Sequence, residues 1–211
     1  MKPIIGNFNS SDYVAIQLDD TFLKQANVDA TDPYRLKTEI QRQIVEQNGT
    51  IGYGGWLEKR SLYAKNQLFN QQHKRNIHLG YDFWCEEGEA VYAPLGGKIH
   101  AIQNNAQEGD YGPTLLLEHN LNSHSLFTLY GHLSLKSLAL HQEGDEVKPN
   151  ELVGYIGDMQ VNGNYVPHLH FQLMSSMLEF QGDFPGVCAE IHLPYFLQVV
   201  HHPDTILKWL K

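Results

Sequence analysis

Short stretches of alternating apolar and polar residues dominate the middle of the chain and predict a series of strands. The clearest stretches are 89–94, 97–102, 114–119, 126–130, 152–156 and 168–174. Glycines separate them at the points where turns or bulges are needed, which is typical of a compact antiparallel sheet. The fold class predicted by this pattern is mainly β, an antiparallel sheet or sandwich-like core.

A helical pattern occurs before the strands. Asp32 is placed to cap a helix whose first residue is Pro33, and apolar residues follow every four positions at Leu36, Ile40 and Ile44. A second, short helix is predicted to begin at Pro203, near the C-terminus. The N-terminal extension is therefore expected to contain one amphipathic helix.

These elements suggest a division of the chain into three parts. Residues 1–76 form an N-terminal extension that packs on the core, residues 77–175 form the β core, and residues 176–211 form a C-terminal extension. No repeat of fixed period is found along the chain.

Composition and charge narrow the range of partners. With 15 Lys and Arg against 24 Asp and Glu, the net charge is −9, so nucleic acid is not an expected partner. Cys85 and Cys188 are too few for a disulfide framework. The sequence contains no run of about 18 apolar residues, so it predicts no membrane span. It also contains no secretory signal, so a cytoplasmic location is expected. The oligomeric state is left open.

Two histidines two residues apart, His168 and His170, lie in the last predicted strand. Residues two apart in a strand point to the same face, about 6.6 Å apart along the chain. The two imidazoles could bind one metal ion together, or one could bind it while the other handles a proton. A half-buried structural strand explains the same pattern.

Two further histidine motifs precede this strand. The first is His78-Leu79-Gly80-Tyr81-Asp82, and the second is Tyr130-Gly131-His132-Leu133. His78, Asp82 and one histidine of the last pair would supply the three protein ligands of a catalytic zinc. In a regular strand residues four apart lie about 13 Å from each other, so the chain must curl between His78 and Asp82. Gly80 is the residue that could allow this curl.

Together these motifs resemble those of the lysostaphin- and LytM-type zinc metallopeptidases, the peptidoglycan endopeptidase family. The resemblance runs from His78 to about Met174 and rests on His-x-x-x-Asp, Tyr-x-His-Leu and the late His-x-His. It implies an antiparallel β fold with a groove over one Zn²⁺ per chain, bound by His78, Asp82 and His170. It also implies that His132 and His168 are catalytic residues that do not bind the metal.

The activity implied by this resemblance is the hydrolysis of an amide bond. A metal-activated water attacks the carbonyl, histidines act as general base and acid, and the substrate is a peptide or peptidoglycan-like molecule. The flanking regions are similar to peptidase-like modules fused to phosphotransferase-like and aminotransferase-like domains, which makes a small cytoplasmic amide another expected substrate. Glu58, Arg60 and Asn76 precede the first ligand and are candidates for lining or covering the groove.

Three alternatives are weighed against this interpretation. A non-catalytic binding or regulatory module could keep the fold, but all five site positions are filled here. A cupin-like metal oxygenase would also use His-x-His, yet cupins usually add a Glu a few residues later, and here Phe171 and Gln172 follow. A lipoyl- or biotinyl-carrier would leave the histidines unexplained. Two His and one carboxylate also bind non-haem iron, so the preference for zinc depends in part on the resemblance.

Overall fold

The computed structural model describes residues 3–62, 73–121, 124–208 and 210. Its strands are β1 (Tyr13–Ala15), β2 (Ile51–Gly54), β3 (Arg75–His78), β4 (Tyr81–Trp84), β5 (Ala90–Tyr92), β6 (Gly97–Asn105), β7 (Gly112–Leu121), β8 (His124–Gly131), β9 (Glu146–Val147), β10 (Leu152–Tyr155), β11 (His168–Met174), β12 (Val187–Ala189) and β13 (Val200–His201). Its helices are α1 (Asp20–Gln25), α2 (Pro33–Glu46) and α3 (Leu193–Phe196). The prediction of a mainly β fold is confirmed.

One large sheet carries most of these strands. Among the described residues its order is β1-β2-β4-β11-β8-β7-β6-β9, and β13 also pairs with β11. All its pairings are antiparallel except that of β1 with β2. Two small sheets, β5 with β10 and β3 with β12, lie outside it. The strand β11 is therefore central and is flanked by β4 and β8.

The two faces of β11 have different chemistry because successive side chains of a strand point to opposite faces. Leu169, Phe171 and Leu173 belong to the main hydrophobic cluster and are fully buried. His168 and His170 alternate with them and are also buried. Burying each large apolar side chain contributes about 1.5–3 kcal/mol, so the apolar face fixes the register that presents the histidines on the other face.

The first 76 residues contribute to the same sheet. The predicted amphipathic helix is α2, where the Asp32 side chain accepts hydrogen bonds from two backbone amides of the first turn. A second helix, α1, was not predicted and corrects the expectation of one helix in this region; Asp19 caps it. Its six residues are too few to show a helical repeat of apolar positions. The division of the chain at residues 76 and 175 stays a prediction.

The C-terminal region contains less helix at Pro203 than predicted. Only Pro203–Thr205 forms a single 3₁₀ turn, and the short helix of this region is α3, ten residues earlier in the chain. Ile206 and Leu207, which the pattern placed on the helix, pack instead in the main hydrophobic cluster. In the described part of the chain, no helix combines the length and apolar character that crossing a membrane requires.

Candidate metal centre

The pairing of β11 with β4 brings Asp82 and His170 together. His170 lies directly opposite Asp82 across the two antiparallel strands, and His168 lies opposite Trp84. Side chains of such cross-strand neighbours start about 4.5–5.5 Å apart. The register of this single strand pair therefore places two of the three predicted ligands in contact.

His78 reaches the same point from another sheet. It is the last residue of β3, and β4 begins three residues later at Tyr81. The predicted curl between His78 and Asp82 is therefore present, as a break between two strands. Gly80 is needed there because a Cβ atom would lie 2.6 Å from the Phe171 carbonyl oxygen and 2.9 Å from the His170 ring. The close approach of β11, and not a left-handed backbone, explains the glycine.

Three donor atoms converge where these elements meet. His78 Nε2 lies 2.9 Å from His170 Nδ1 and 3.2 Å from Asp82 Oδ1, and His170 Nδ1 lies 3.1 Å from the same oxygen. Ligands bound at about 2.0–2.1 Å around a tetrahedral zinc are about 3.3 Å from one another. The three predicted ligand residues thus form a group that fits one metal ion, and all three are buried.

The ring orientations of the two histidines are fixed by their other nitrogens. His78 Nδ1 donates to the Gly55 carbonyl at 2.9 Å, and His170 Nε2 donates to Gln172 Oε1 at 3.0 Å. The Gln172 amide nitrogen in turn donates to the Pro185 carbonyl. Such partners set the tautomer of a metal-binding histidine and leave the opposite lone pair for the ion.

Electrostatics favour the deprotonated, metal-binding forms. Burial lowers the pKa of His78 to about 4, so its ring is neutral at pH 7. Burial alone would raise the pKa of Asp82, but the neighbouring His78 and the guanidinium of Arg60 hold it well below its usual value. The site therefore offers one carboxylate and neutral imidazole, the ligand states that a divalent cation requires.

His132 and His168 lie beside these ligands. Their ring centroids are 4.2 Å apart, and His168 Nε2 is 3.8 Å from Asp82 Oδ1. His132 Nδ1 donates to the Asn162 carbonyl at 2.8 Å, and His168 Nδ1 donates to the Val166 carbonyl at 2.7 Å. Each ring is thereby left with Nε2 as the nitrogen that is available for proton transfer.

The protonation state of this second pair follows from its burial. Burial, reinforced by the neighbouring imidazoles, holds the pKa of His132 well below its usual value, and burial also lowers the pKa of His168. Both rings are neutral at pH 7. His132 has a left-handed backbone with φ of 62° directly after β8, a conformation that costs about 1–3 kcal/mol and is concentrated at functional sites.

A cavity of about 280 Å³ lies over this cluster. Trp84, Val166 and Leu36 give it an apolar wall, while Asp110 and Asp183 add carboxylates. Burial raises the pKa of both these carboxyl groups. The cavity thus combines an apolar part, an acidic part and the five predicted site residues.

Several residues at the site were not assigned a role from the sequence. Gln172 orients His170, and its position two residues later on the same strand face was a signal for this role. Tyr165 packs edge-on against His132, and its hydroxyl donates to the Gly109 carbonyl. Gly55 and Pro185 contribute only carbonyl oxygens, for which the sequence offers no signal.

The polar candidates upstream of His78 are placed within the protein. Arg60 is buried and contacts the second oxygen of Asp82, and Glu58 pairs with Arg60. Asn76 is buried and its carbonyl accepts from the Arg60 backbone amide. Arg60 also contributes to the lining of the cavity.

Comparison with protein families assigns the part of the chain that carries these residues to a known family. Residues 76–181 match the profile of Peptidase family M23. The chain belongs to Peptidase family M23. The matched residues include every predicted ligand and both further histidines, and the M23 membership makes the chain a metallopeptidase of the lysostaphin and LytM type. The profile begins after Gly55 and Arg60 and ends before Pro185.

Three solved structures are similar to parts of the chain. The structure described as LytU is 26% identical, over 67% of this chain and 83% of its own, with a TM-score of 0.40. The catalytic domain of the antimicrobial peptidase lysostaphin from Staphylococcus simulans is 24% identical, over 58% and 80%, with a TM-score of 0.39. The catalytic domain of the prophage-encoded M23 protein EnpA from Enterococcus faecalis is 22% identical, over 52% and 77%, with a TM-score of 0.41. A comparison with curated protein sequences gave no match.

Proposed function

We propose that the protein is a zinc-dependent endopeptidase that hydrolyses an amide bond of a peptide. The observation that carries this proposal is the convergence of three donor atoms, from His78, Asp82 and His170, beside two neutral histidines in one cavity. A catalytic metal site needs three protein ligands and an open position, and it needs groups within reach that move protons. His78, Asp82 and His170 could supply the three ligands, and His132 and His168 lie within reach to move protons.

Zinc is the metal that this donor set favours in an M23 chain. Two imidazoles and one carboxylate suit Zn²⁺, and the same set also binds Fe²⁺, so family membership is what supports the choice of zinc. A bound Zn²⁺ would supply a Lewis acid that polarises the substrate carbonyl and lowers the pKa of coordinated water. His78, Asp82 and His170 would hold the ion.

His132 and His168 would transfer the protons of the reaction. Because each ring donates its Nδ1 proton to a backbone carbonyl, Nε2 carries the lone pair that accepts a proton from water. The same nitrogen can return that proton to the leaving amine. The ring that has taken this proton then carries an N–H at Nε2, which could donate to the developing oxyanion before the proton passes to the leaving amine.

The cavity suits a short stretch of peptide. Its volume is near the lower end of ordinary ligand pockets, and the Trp84 ring stacks near His168 on its apolar side. Peptide segments with small or apolar side chains, such as those of peptidoglycan cross-links, match such a groove. A small amide is the second class of substrate to be screened.

The test measures metal content and peptide hydrolysis on the same variants. We expect about one zinc per chain in the wild type, and its loss, with the activity, in Asp82→Ala and His170→Ala. His132→Ala and His168→Ala should keep the zinc but reduce kcat by about 10²–10⁴-fold, the usual contribution of general acid–base catalysis. His124→Ala, at an exposed histidine of β8, is the matched control and should change neither quantity.

Two outcomes would contradict the proposal. A wild-type protein that binds no zinc after incubation with the metal would exclude the metallopeptidase mechanism. Zinc bound at wild-type stoichiometry without hydrolysis of glycyl peptides, peptidoglycan fragments or simple amides would instead favour a binding module.

A further inference from the structure

The segment from Gly55 to Arg60 lies before the residues that match the family profile, yet it is attached directly to the metal centre. Its backbone runs beside β3, with hydrogen bonds from Leu57 to His78, from His78 to Glu58 and from Arg60 to Asn76. This pairing holds the segment against the strand that ends in the first ligand. Its side chains and carbonyls are therefore fixed relative to that ligand.

Arg60 is a fully buried cation within this segment, with 1% of its surface exposed. Its Nη1 donates to Asp82 Oδ2 at 2.5 Å, its Nε donates to Glu58 Oε2 at 2.8 Å, and its guanidinium carbon lies 5.4 Å from the centre of the Trp84 ring. A buried charge is tolerated only when it is paired and hydrogen-bonded. Two carboxylates and one aromatic face meet this requirement for Arg60.

We propose that Arg60 is a positioning residue that makes Asp82 a one-oxygen ligand. The guanidinium occupies Oδ2, so only Oδ1 is presented to the point where His78 and His170 converge. A carboxylate that binds through one oxygen leaves a coordination position open, and catalysis needs that position. This inference rests on the zinc site of the proposed function.

The same segment supports a second ligand. The Gly55 carbonyl accepts from His78 Nδ1, and Gly55 has a left-handed φ of 103°. A Cβ at this position would lie 2.7 Å from His78 Nδ1 and would also collide with the Arg60 guanidinium. Two of the three ligands are thus oriented by residues outside the family-matched region, one through a carbonyl and one through a guanidinium.

Arg60 and Glu58 form an outer layer around the metal ligands. The positive charge of Arg60 and the negative charge of Glu58 cancel, so this outer layer adds no net charge to the ligand set. Without the guanidinium, Asp82 Oδ2 is released. The carboxylate could then rotate so that Oδ1 leaves the metal position, or it could offer both oxygens to a bound metal. Either change would alter the set of donor atoms that holds the ion.

The test uses the whole 211-residue chain with Arg60→Met, Arg60→Lys and the control Lys59→Met. Lys59 is the neighbouring cation, but its side chain is 57% exposed and pairs with Glu190 at the surface. Zinc affinity is measured by competition with a chromophoric chelator, and ligand geometry by the visible absorption of the Co²⁺-substituted protein. That absorption is intense for four-coordinate Co²⁺ and weak for six-coordinate Co²⁺.

We expect Arg60→Met to weaken zinc binding by about 10- to 100-fold, the usual effect of losing an outer partner of a ligand, and to reduce the Co²⁺ absorption. Arg60→Lys keeps the charge but not the planar fork, so it should recover part of the affinity and of the Co²⁺ band. Lys59→Met should behave as wild type. If Arg60→Met does not fold, the Co²⁺ spectrum and affinity of Arg60→Lys decide the question.

Wild-type affinity and an unchanged Co²⁺ spectrum in the folded Arg60 variants would overturn the role of Arg60 and leave the peptidase proposal intact. A wild-type protein that binds neither metal would overturn both proposals. The two failures are therefore distinguishable in one series of measurements.

Discussion

Two buried histidines on strands that flank β8, His119 on β7 and His170 on β11, have opposite surroundings. His119 is fully buried, with Nδ1 2.8 Å from the Gly96 carbonyl and Nε2 2.8 Å from the Thr128 hydroxyl. His170 is also buried, and its Nε2 also has a partner in Gln172. Its Nδ1, however, points at two other lone-pair donors, His78 Nε2 and Asp82 Oδ1.

The difference shows how a structural histidine is told from a ligand. A neutral imidazole has one N–H and one lone pair. At His119 the Gly96 carbonyl accepts the N–H and the Thr128 hydroxyl lies within hydrogen-bond distance of the other nitrogen, so both nitrogens have partners within the protein. At His170 three electron-rich atoms meet, and a cation is the partner that satisfies all three at once.

Removing the metal should give the largest contrast between the two histidines. A ligand that binds only the folded state at 1,000 times its Kd stabilises it by about 4 kcal/mol. We therefore expect a chelator to lower the free energy of unfolding of the zinc-loaded wild type by about this amount. Urea unfolding with and without chelator measures the effect.

Variants at the two histidines sharpen this result. His119→Gln should respond to the chelator as the wild type does, because His119 takes no part in the donor cluster. His170→Ala should show no chelator effect. An equal response of wild type and His170→Ala would place the stabilising metal elsewhere in the protein.

Truncating His119 tests the opposite expectation. His119→Ala leaves the Gly96 carbonyl without its donor and the Thr128 hydroxyl with Tyr130 as its remaining partner, and a buried unsatisfied group costs about 1–3 kcal/mol. We expect a loss of about 3 kcal/mol in the free energy of unfolding with zinc content unchanged. A loss of zinc in this variant would contradict the assignment of His119 as structural.

The sequence predicted the parts of the site that depend on local pattern. The apolar and polar alternation of 168–174 placed both histidines on one face of β11, and the prediction is confirmed by the strand His168–Met174. The break between His78 and Asp82 was expected from geometry, but not its cause. Gly80 is dictated by the approach of β11, a contact between residues far apart in the chain that no local pattern reveals.

The outer layer of the metal centre could not be predicted for the same reason. The Arg60–Asp82 pair joins a loop residue to a residue of β4 that lies 22 positions later, and Gly55 acts through a carbonyl that every residue type carries. The short helix α1 was missed because six residues carry little periodicity. Local patterns and the family resemblance thus predicted the ligand residues, whereas the groups that orient them depend on tertiary contacts.

The smallest expected effect is the contribution of His119 to the pH dependence of the free energy of unfolding. Burial lowers the pKa of His119 below its usual value, so the unfolded chain binds this proton at a higher pH than the folded protein does. The stability due to neutral His119 is present above about pH 6.5 and falls as the pH decreases below that value. One such proton changes the free energy of unfolding by about 1.4 kcal/mol per pH unit.

Metal-free wild type and His119→Gln, unfolded in urea between about pH 5 and pH 7.5, isolate this proton because the second variant does not titrate at position 119. His78, His132 and His168 also have lowered pKa values and steepen both profiles equally. Below about pH 6.5, the free energy of unfolding of the wild type should change more steeply with pH than that of His119→Gln. The difference in slope should correspond to at most one bound proton. Parallel profiles would mean that His119 binds its proton as readily in the folded protein as in the unfolded chain, and the distinction between a satisfied ring and a ligand ring would then have to rest on the metal alone.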